Sequence, residues 1–309
     1  MRNQNNTLTN AKADLAAKEG DPSVLIVQLT QARNTAALEA VRLENTRLST
    51  GSNAVNAYIS LYENQENIKL QTAQVALDQR NLEVARARLQ ARNGTQLDVD
   101  KAQNSLAGSR QTLTDLQANQ SVLSNRLETQ LGRSLSGNLT VAELPALKTT
   151  SCKLEDLEKG LEARSVNVLQ NAQQAALNEL NVQLSDNDYT APTTLRDNKT
   201  NLENARRNLE TTRQNALTSL RDAWRQVQNA AEQVRLRNAD LENNKKTLTQ
   251  DQARFRSGTI SRLALQQTEV ATLRSAFQAL QAENSYLRAL GTLSTSAGVD
   301  CTGMMGGQG

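Results

Sequence analysis

Residues 61–89, LYENQENIKLQTAQVALDQRNLEVARARL, carry an apolar side chain at every seventh position. Residues 227–255, VQNAAEQVRLRNADLENNKKTLTQDQARF, do the same. The positions are Leu61, Ile68, Val75, Leu82 and Leu89 in the first stretch, and Val227, Val234, Leu241, Leu248 and Phe255 in the second. Both ends of the series differ by 166 (227 − 61 and 255 − 89). A seven-residue apolar period is typical of helices that pack side by side. Its duplication predicts two copies of one helical unit.

A glycine-containing turn follows each stretch. The first reads Arg92-Asn93-Gly94-Thr95 and the second Arg256-Ser257-Gly258-Thr259. We expect each glycine to take the αL conformation that ends a helix, and each threonine to cap the next helix. The two glycines differ by 164 (258 − 94), which predicts a two-residue difference between the copies at this point. A second apolar-periodic segment follows each turn, so each copy is predicted to be a long αα-hairpin.

The flanking segments complete the predicted copies. Ser23 to about Leu48 and Ser165 to about Leu184 are both rich in Ala and Leu, and we expect them to be equivalent helices. Residues 49–53 are then a short junction and residues 185–192 an exposed turn. Residues 134–150 are predicted to be a loop with a short strand. The predicted division is a first repeat over 1–150, a second over 151–300, and a flexible tail over 301–309.

The first long helix carries a second apolar stripe, formed by Leu70, Leu77, Val84 and Ala91. It lies two residues from the first stripe, which is about 200° around a helix. Two opposed stripes let a helix pack against a neighbour on either side, as in a closed wall. The second copy has Asn243 and Gln250 on this stripe. A structural coiled-coil or adaptor-like scaffold without a pore therefore remains an alternative.

Composition excludes several function classes. Among 309 residues there is no His, aromatic residues make up 2%, and the formal net charge is +3. Without His or a recognisable nucleophile setting, we expect no enzyme activity, no metal site and no cofactor. Near-balanced charge and few aromatics argue against nucleic-acid binding. No apolar run reaches the ~20 residues of a membrane-spanning helix. No signal peptide is visible, which is compatible with a cytoplasmic chain or a mature form.

Two cysteines, Cys152 and Cys301, each follow the second long helix of their own half. Their spacing matches no metal site. They form either a disulfide or two free thiols. A disulfide would indicate an oxidising compartment such as a periplasm.

The order, spacing and duplication of these features resemble the TolC family of outer-membrane channel proteins, over roughly residues 24–299. The similarity includes the tip sequences from Arg92 and Phe255 and the closing Leu131-Gly132 and Leu290-Gly291 pairs. The resemblance implies an all-α chain of two tandem hairpin repeats that forms an α-barrel on oligomerisation. It also implies a passive homotrimeric exit duct for drug efflux or type I protein secretion.

The resemblance assigns roles to residues at the turns. A periplasmic adaptor protein, and through it an inner-membrane pump, would dock at the tips. The docking residues are Arg92, Gly94, Thr95, Leu97, Arg256, Gly258, Thr259 and Leu263. Asp98 and Asp100 would narrow the pore at a gate. The alternative is that Gly-Thr serves only to turn the chain and that Asp98 is an ordinary first-turn carboxylate.

One departure from the family is large. Its members insert a β-hairpin into each repeat, and these strands build a membrane barrel. No segment here alternates apolar and polar residues with aromatic girdles, so we expect little or no β-barrel. The sequence is compatible with an excised barrel, with a partial sequence, or with a natural relative that lacks the barrel. The expected location is the periplasm or outer membrane, with outer-membrane insertion only if the full-length protein has a barrel.

Overall fold

The computed structural model describes residues 1–134, 139–142 and 152–304, and none of these residues forms a β-strand. Eight helices occupy most of the described ranges. They are α1 (Arg2–Glu19), α2 (Ile26–Gln90), α3 (Gln96–Leu131), α4 (Leu154–Lys159), α5 (Leu161–Arg164), α6 (Val166–Ser185), α7 (Pro192–Arg256) and α8 (Arg262–Ala297). The predicted all-α fold class is confirmed. Most of the loop predicted over residues 134–150 lies outside the described ranges.

One constant offset relates the two copies. Helices α2 and α7 have 65 residues each, and their first residues, Ile26 and Pro192, differ by 166 (192 − 26). Helices α3 and α8 have 36 residues each, and their first residues, Gln96 and Arg262, also differ by 166 (262 − 96). The tandem hairpins are therefore confirmed. The predicted two-residue difference at the turn is wrong, because the offset is the same on both sides of it.

The predicted flanking helices need two corrections. Residues 49–53 are not a junction, since α2 runs through them without a break. Burial of the adjacent Leu48, worth about 2 kcal/mol, outweighs the roughly 1 kcal/mol that Gly51 costs a helix. The counterpart of α6 is α1, whose last residue Glu19 lies 166 before Ser185 (185 − 19). Each is followed by six residues, 20–25 and 186–191, before the next helix; the second of these matches the predicted turn.

The chain packs as two compact units, and each takes parts of both repeats. Of the described residues, unit 1 holds 1–52, 152–227 and 289–304, and unit 2 holds 53–134, 139–142 and 228–288. The division into two repeats therefore remains a description of the sequence rather than of the packing.

In unit 1, three arginines on α7 bind glutamates of the segment that precedes it. Arg206 contacts Glu179 at 3.0 Å, and the second and third pairs, Arg213–Glu162 and Arg221–Glu158, have N–O distances of 2.6 and 2.7 Å. A disulfide joins Cys152 to Cys301, whose residue is buried. The backbone N–H of Cys301 donates to the fully buried Ser294 hydroxyl. These contacts fix the chain on both sides of α4 to α6.

Unit 2 contains a row of four helix segments in the order α3, α2, α8, α7. Side-chain hydrogen bonds join each neighbouring pair: Asn64 with Gln120, Gln74 with Arg274, and Asn244 with Ser275. Apolar clusters between α2 and α3 add packing; one contains Ala57, Leu61 and Leu127, and the other contains Leu82, Val99 and Leu106. Helices α2 and α8 are therefore inner members of the row, and α3 and α7 are its edges.

Candidate functional site

Both repeat tips close with the same helix-ending arrangement. At the first tip, the N–H of Asn93 donates to Arg88 O (2.8 Å) and the N–H of Arg92 to Leu89 O (3.0 Å). At the second, the N–H of Thr259 donates to Arg254 O (2.9 Å) and that of Gly258 to Phe255 O (3.0 Å). This pair of bonds is the Schellman motif, which satisfies carbonyls that the helix end leaves free.

The residue in the αL conformation differs in kind between the tips. It is Gly258 (φ +74°) at the second tip, as predicted, but Arg92 (φ +61°) at the first. These two positions differ by 166, so they are equivalent (258 − 92). The expectation that Gly94 takes αL is wrong because α2 ends two residues earlier than that reading required. Gly94 instead permits a close approach, since an added Cβ would lie 3.1 Å from Arg88 Cβ.

The threonine caps also differ. Thr95 caps α3 as predicted: its hydroxyl accepts from the Asp98 N–H, and its own N–H donates to Asp98 Oδ2 at 3.0 Å. Thr259 does not cap α8, because its hydroxyl donates backwards to Arg254 O at 2.8 Å. Ser261, the equivalent of Thr95 (261 − 95 = 166), accepts from the Ala264 N–H instead. Sequence reasoning missed Ser261, although the offset of 166 identifies it.

Carboxylates and aromatic contacts distinguish the two tips electrostatically. Hydrogen bonds from the Thr95 backbone N–H and hydroxyl lower the pKa of Asp98 below its ordinary value. Asp100 is exposed and accepts a hydrogen bond from Gln96 at 2.8 Å. At the second tip the Arg262 guanidinium lies 5.8 Å from the centre of the Phe255 ring, a cation–π contact. The first tip is thus acidic at the start of its returning helix, whereas the second is basic.

The tips lie at one end of unit 2 and are open to solvent. Gln74 of α2 contacts Arg274 of α8 at 3.1 Å, and both helices run from there to their tips over about 12–16 residues. Most of the predicted docking residues are exposed, and Leu97 presents 60% of its surface. Only Gly94 and Leu263 are half-buried. The structure therefore brings the two sets of predicted tip residues to the same end of the unit.

Two further properties concern sites of other kinds. In the described ranges, no helix combines the length and the apolar character that crossing a membrane requires. The same residues contain no group of three or more potential metal-ligating side chains.

Comparison with known proteins gives the class first. Residues 193–299, which cover most of α7 and α8, match the family model described as outer membrane efflux protein. Efflux proteins are transport proteins rather than enzymes. No match was found among curated protein sequences. The resemblance to the outer-membrane efflux family is thus confirmed over the second repeat by sequence.

Solved structures extend the likeness to the fold of nearly the whole chain. The outer-membrane channel OprN is 16% identical with a TM-score of 0.64, covering 99% of this chain and 88% of its own. The CmeC outer membrane channel of Campylobacter jejuni is 13% identical with a TM-score of 0.66, covering 97% and 83%. CusC, studied in transmembrane channel formation, is 12% identical with a TM-score of 0.63, covering 97% and 92%. At these identities the likeness is one of fold.

Proposed function

We propose that this chain forms a passive exit duct of the cell envelope, by closing the helices of several copies into an α-barrel. The observation that carries the proposal is the burial of α2 on two opposed sides within unit 2. Leu61 and Leu82 of its first stripe and Leu77 of its second stripe are all buried. A helix in a two-stranded scaffold needs only one apolar stripe, so this double burial favours a wall over a scaffold.

The edges of the row supply the surfaces that would join copies. On α3, Val122 points away from α2 and is 61% exposed; on α7, Leu236 points away from α8 and is 42% exposed. The contacts Asn64–Gln120, Glu63–Asn284 and Asn238–Glu283 lie at one level across the row.

Val122 lies two residues beyond Gln120, and Leu236 two residues before Asn238. Both shifts lead away from the tips by about 3 Å, so the two apolar residues lie at the same level on opposite edges. An α3 edge can then pack on the α7 edge of the next copy with Val122 against Leu236. Such a heterologous contact forms a ring when the rotation closes. With the likeness to the efflux family, we propose a homotrimer with twelve helices in its wall.

The tips are proposed as the docking end for a periplasmic adaptor protein and, through it, an inner-membrane pump. Their exposure and shared position in unit 2 support this role for the docking residues named above. The proposed gate uses Asp98 and Asp100. Asp100 is the freer of the two, because Oδ2 of Asp98 already accepts both bonds from Thr95. The Cys152–Cys301 disulfide supports an oxidising compartment such as the periplasm. The substrate class follows the family: drugs in efflux or proteins in type I secretion.

Cysteine cross-linking tests the proposed ring. The double variant Val122→Cys/Leu236→Cys is expected to give covalent trimers on non-reducing gels after mild oxidation. The single variants are matched controls, because a heterologous contact brings residue 122 to residue 236 and not to its own copy. A ladder of higher oligomers would indicate an open filament, and dimers from a single variant would indicate a two-fold contact. Either result contradicts the closed ring.

The docking assignment is tested separately at the tip glycines. Gly94→Trp and Gly258→Trp are expected to abolish co-purification with a co-expressed periplasmic adaptor while leaving the oligomer intact. Gly20→Trp in unit 1 is the matched control. Unchanged adaptor binding in both tip variants would refute the docking role and leave the duct itself untouched.

A further inference from the structure

Unit 2 contains a cavity of about 310 Å³ beside α8, between α2 and α7. Its apolar lining comes from all three helices, namely Leu70, Leu241, Leu273, Phe277 and Leu280. Leu273 is 44% exposed, so a large apolar side chain faces the open cavity. Neither the tips nor the edges of the row use these residues. Ligand pockets start at about 300 Å³, so the cavity has room for one small molecule.

The charges at the rim leave one carboxylate without a cation. Glu66 is paired with Lys69 at an N–O distance of 2.6 Å. Glu283 accepts a hydrogen bond from the Asn238 side chain at 3.4 Å, and no Lys or Arg of the described residues lies within ion-pair distance of it. The ionisable groups that line the cavity therefore sum to one negative charge.

We propose that this cavity binds small lipophilic monovalent cations. The apolar lining would shield the body of such a ligand from water, at about 25 cal/mol per Å² of apolar surface. Glu283 would lie near its charge, and the Phe277 ring offers a face to which cations are attracted. A neutral apolar ligand would gain nothing from the carboxylate, and an anion would be repelled. The proposal goes beyond a passive duct, because it gives the helical wall a ligand site of its own.

Two probe ions of equal shape and opposite charge test the proposal, tetraphenylphosphonium and tetraphenylborate. Equilibrium dialysis against the full chain is expected to show saturable binding of tetraphenylphosphonium, at least tenfold tighter than that of tetraphenylborate. Glu283→Gln is expected to weaken tetraphenylphosphonium binding about tenfold and to leave tetraphenylborate binding unchanged or stronger. Glu269→Gln, on the same helix but outside the cavity lining, is the matched control and keeps the preference.

A steric variant checks the position of the site. Leu273→Trp fills the cavity from an exposed position and is expected to weaken tetraphenylphosphonium binding at unchanged helical circular dichroism. Equal binding of the two ions would overturn the proposal, because the cavity would then be merely apolar. Failure of Glu283→Gln to reduce the preference, or no binding of either ion, would overturn it as well. None of these results depends on whether the copies close into a ring.

Discussion

Replacing Arg92 by glycine should stabilise the protein, although Arg92 lies at a proposed docking tip. Arg92 holds φ +61°, whereas the equivalent position of the second repeat is Gly258 at φ +74°. A side chain in the αL conformation crowds the following carbonyl oxygen, and this strain is absent in glycine. The first repeat therefore carries a backbone cost that the second avoids.

The expected size follows from two opposing effects. Removing the αL strain stabilises the folded chain by about 1–2 kcal/mol. The added freedom of glycine in the unfolded chain destabilises by about 0.4–1 kcal/mol. The net gain for Arg92→Gly is about 0.5–1 kcal/mol. Arg92→Ala keeps the Cβ and the strain while removing the charge, so its stability should stay within about 0.5 kcal/mol of the parent.

Urea unfolding followed by circular dichroism measures both variants, provided that the m-value is unchanged. The mirror variant Gly258→Ala should lose about 1 kcal/mol, because it introduces the strain that Arg92→Gly removes. The reasoning is refuted if Arg92→Gly is no more stable than Arg92→Ala. That result would mean that the αL position of the first tip carries no net strain.

Three further changes test other contacts. Thr95→Ala should cost about 1 kcal/mol in urea unfolding, because the Asp98 N–H loses its capping acceptor. The lowered pKa of Asp98 means that its contribution is present above the unfolded pKa of about 3.9 and is lost as pH falls through the lower folded value. Asp98→Asn should therefore flatten the acid limb of the stability profile; an unchanged limb contradicts this. Cys301→Ser opens a bridge across 149 residues and should cost about 3–5 kcal/mol by calorimetry, with no further loss on adding reductant. Glu63 and Arg288 form a part-buried bidentate pair at 2.8 and 3.0 Å, and a double-mutant cycle should give about 1–2 kcal/mol of coupling. Coupling near zero would show that the pair adds nothing.

The sequence predicted the architecture because the fold rests on periodicity. The stripe from Leu61 to Leu89 and its copy from Val227 to Phe255 define two helices of equal length at the observed offset. The weakness of the second stripe at Asn243 also has a structural meaning. Helix α7 is an edge of the row in unit 2, so that side of it has no neighbour within the unit.

The errors arose where local residue preferences were weighed without the global offset. Glycine is the usual αL residue, so Gly94 was favoured over Arg92; tertiary pairing of the hairpin sets the end of α2 instead. Threonine is a good cap, so Thr259 was favoured over Ser261, which actually begins the helix. Gly51 looked like a break, but helix packing on both sides overrides one glycine. Aligning the copies at 166 throughout would have corrected the first two.

The mass in solution without detergent, by light scattering on a sizing column, tests the proposed closed ring most directly. The ring predicts one stable species at three times the chain mass of 33.8 kDa. That species should lose mass when Val122 or Leu236 is replaced by arginine, because each would place a charge at the joined edges. A monomer that stays monomeric at high concentration would contradict the ring and favour a helical scaffold.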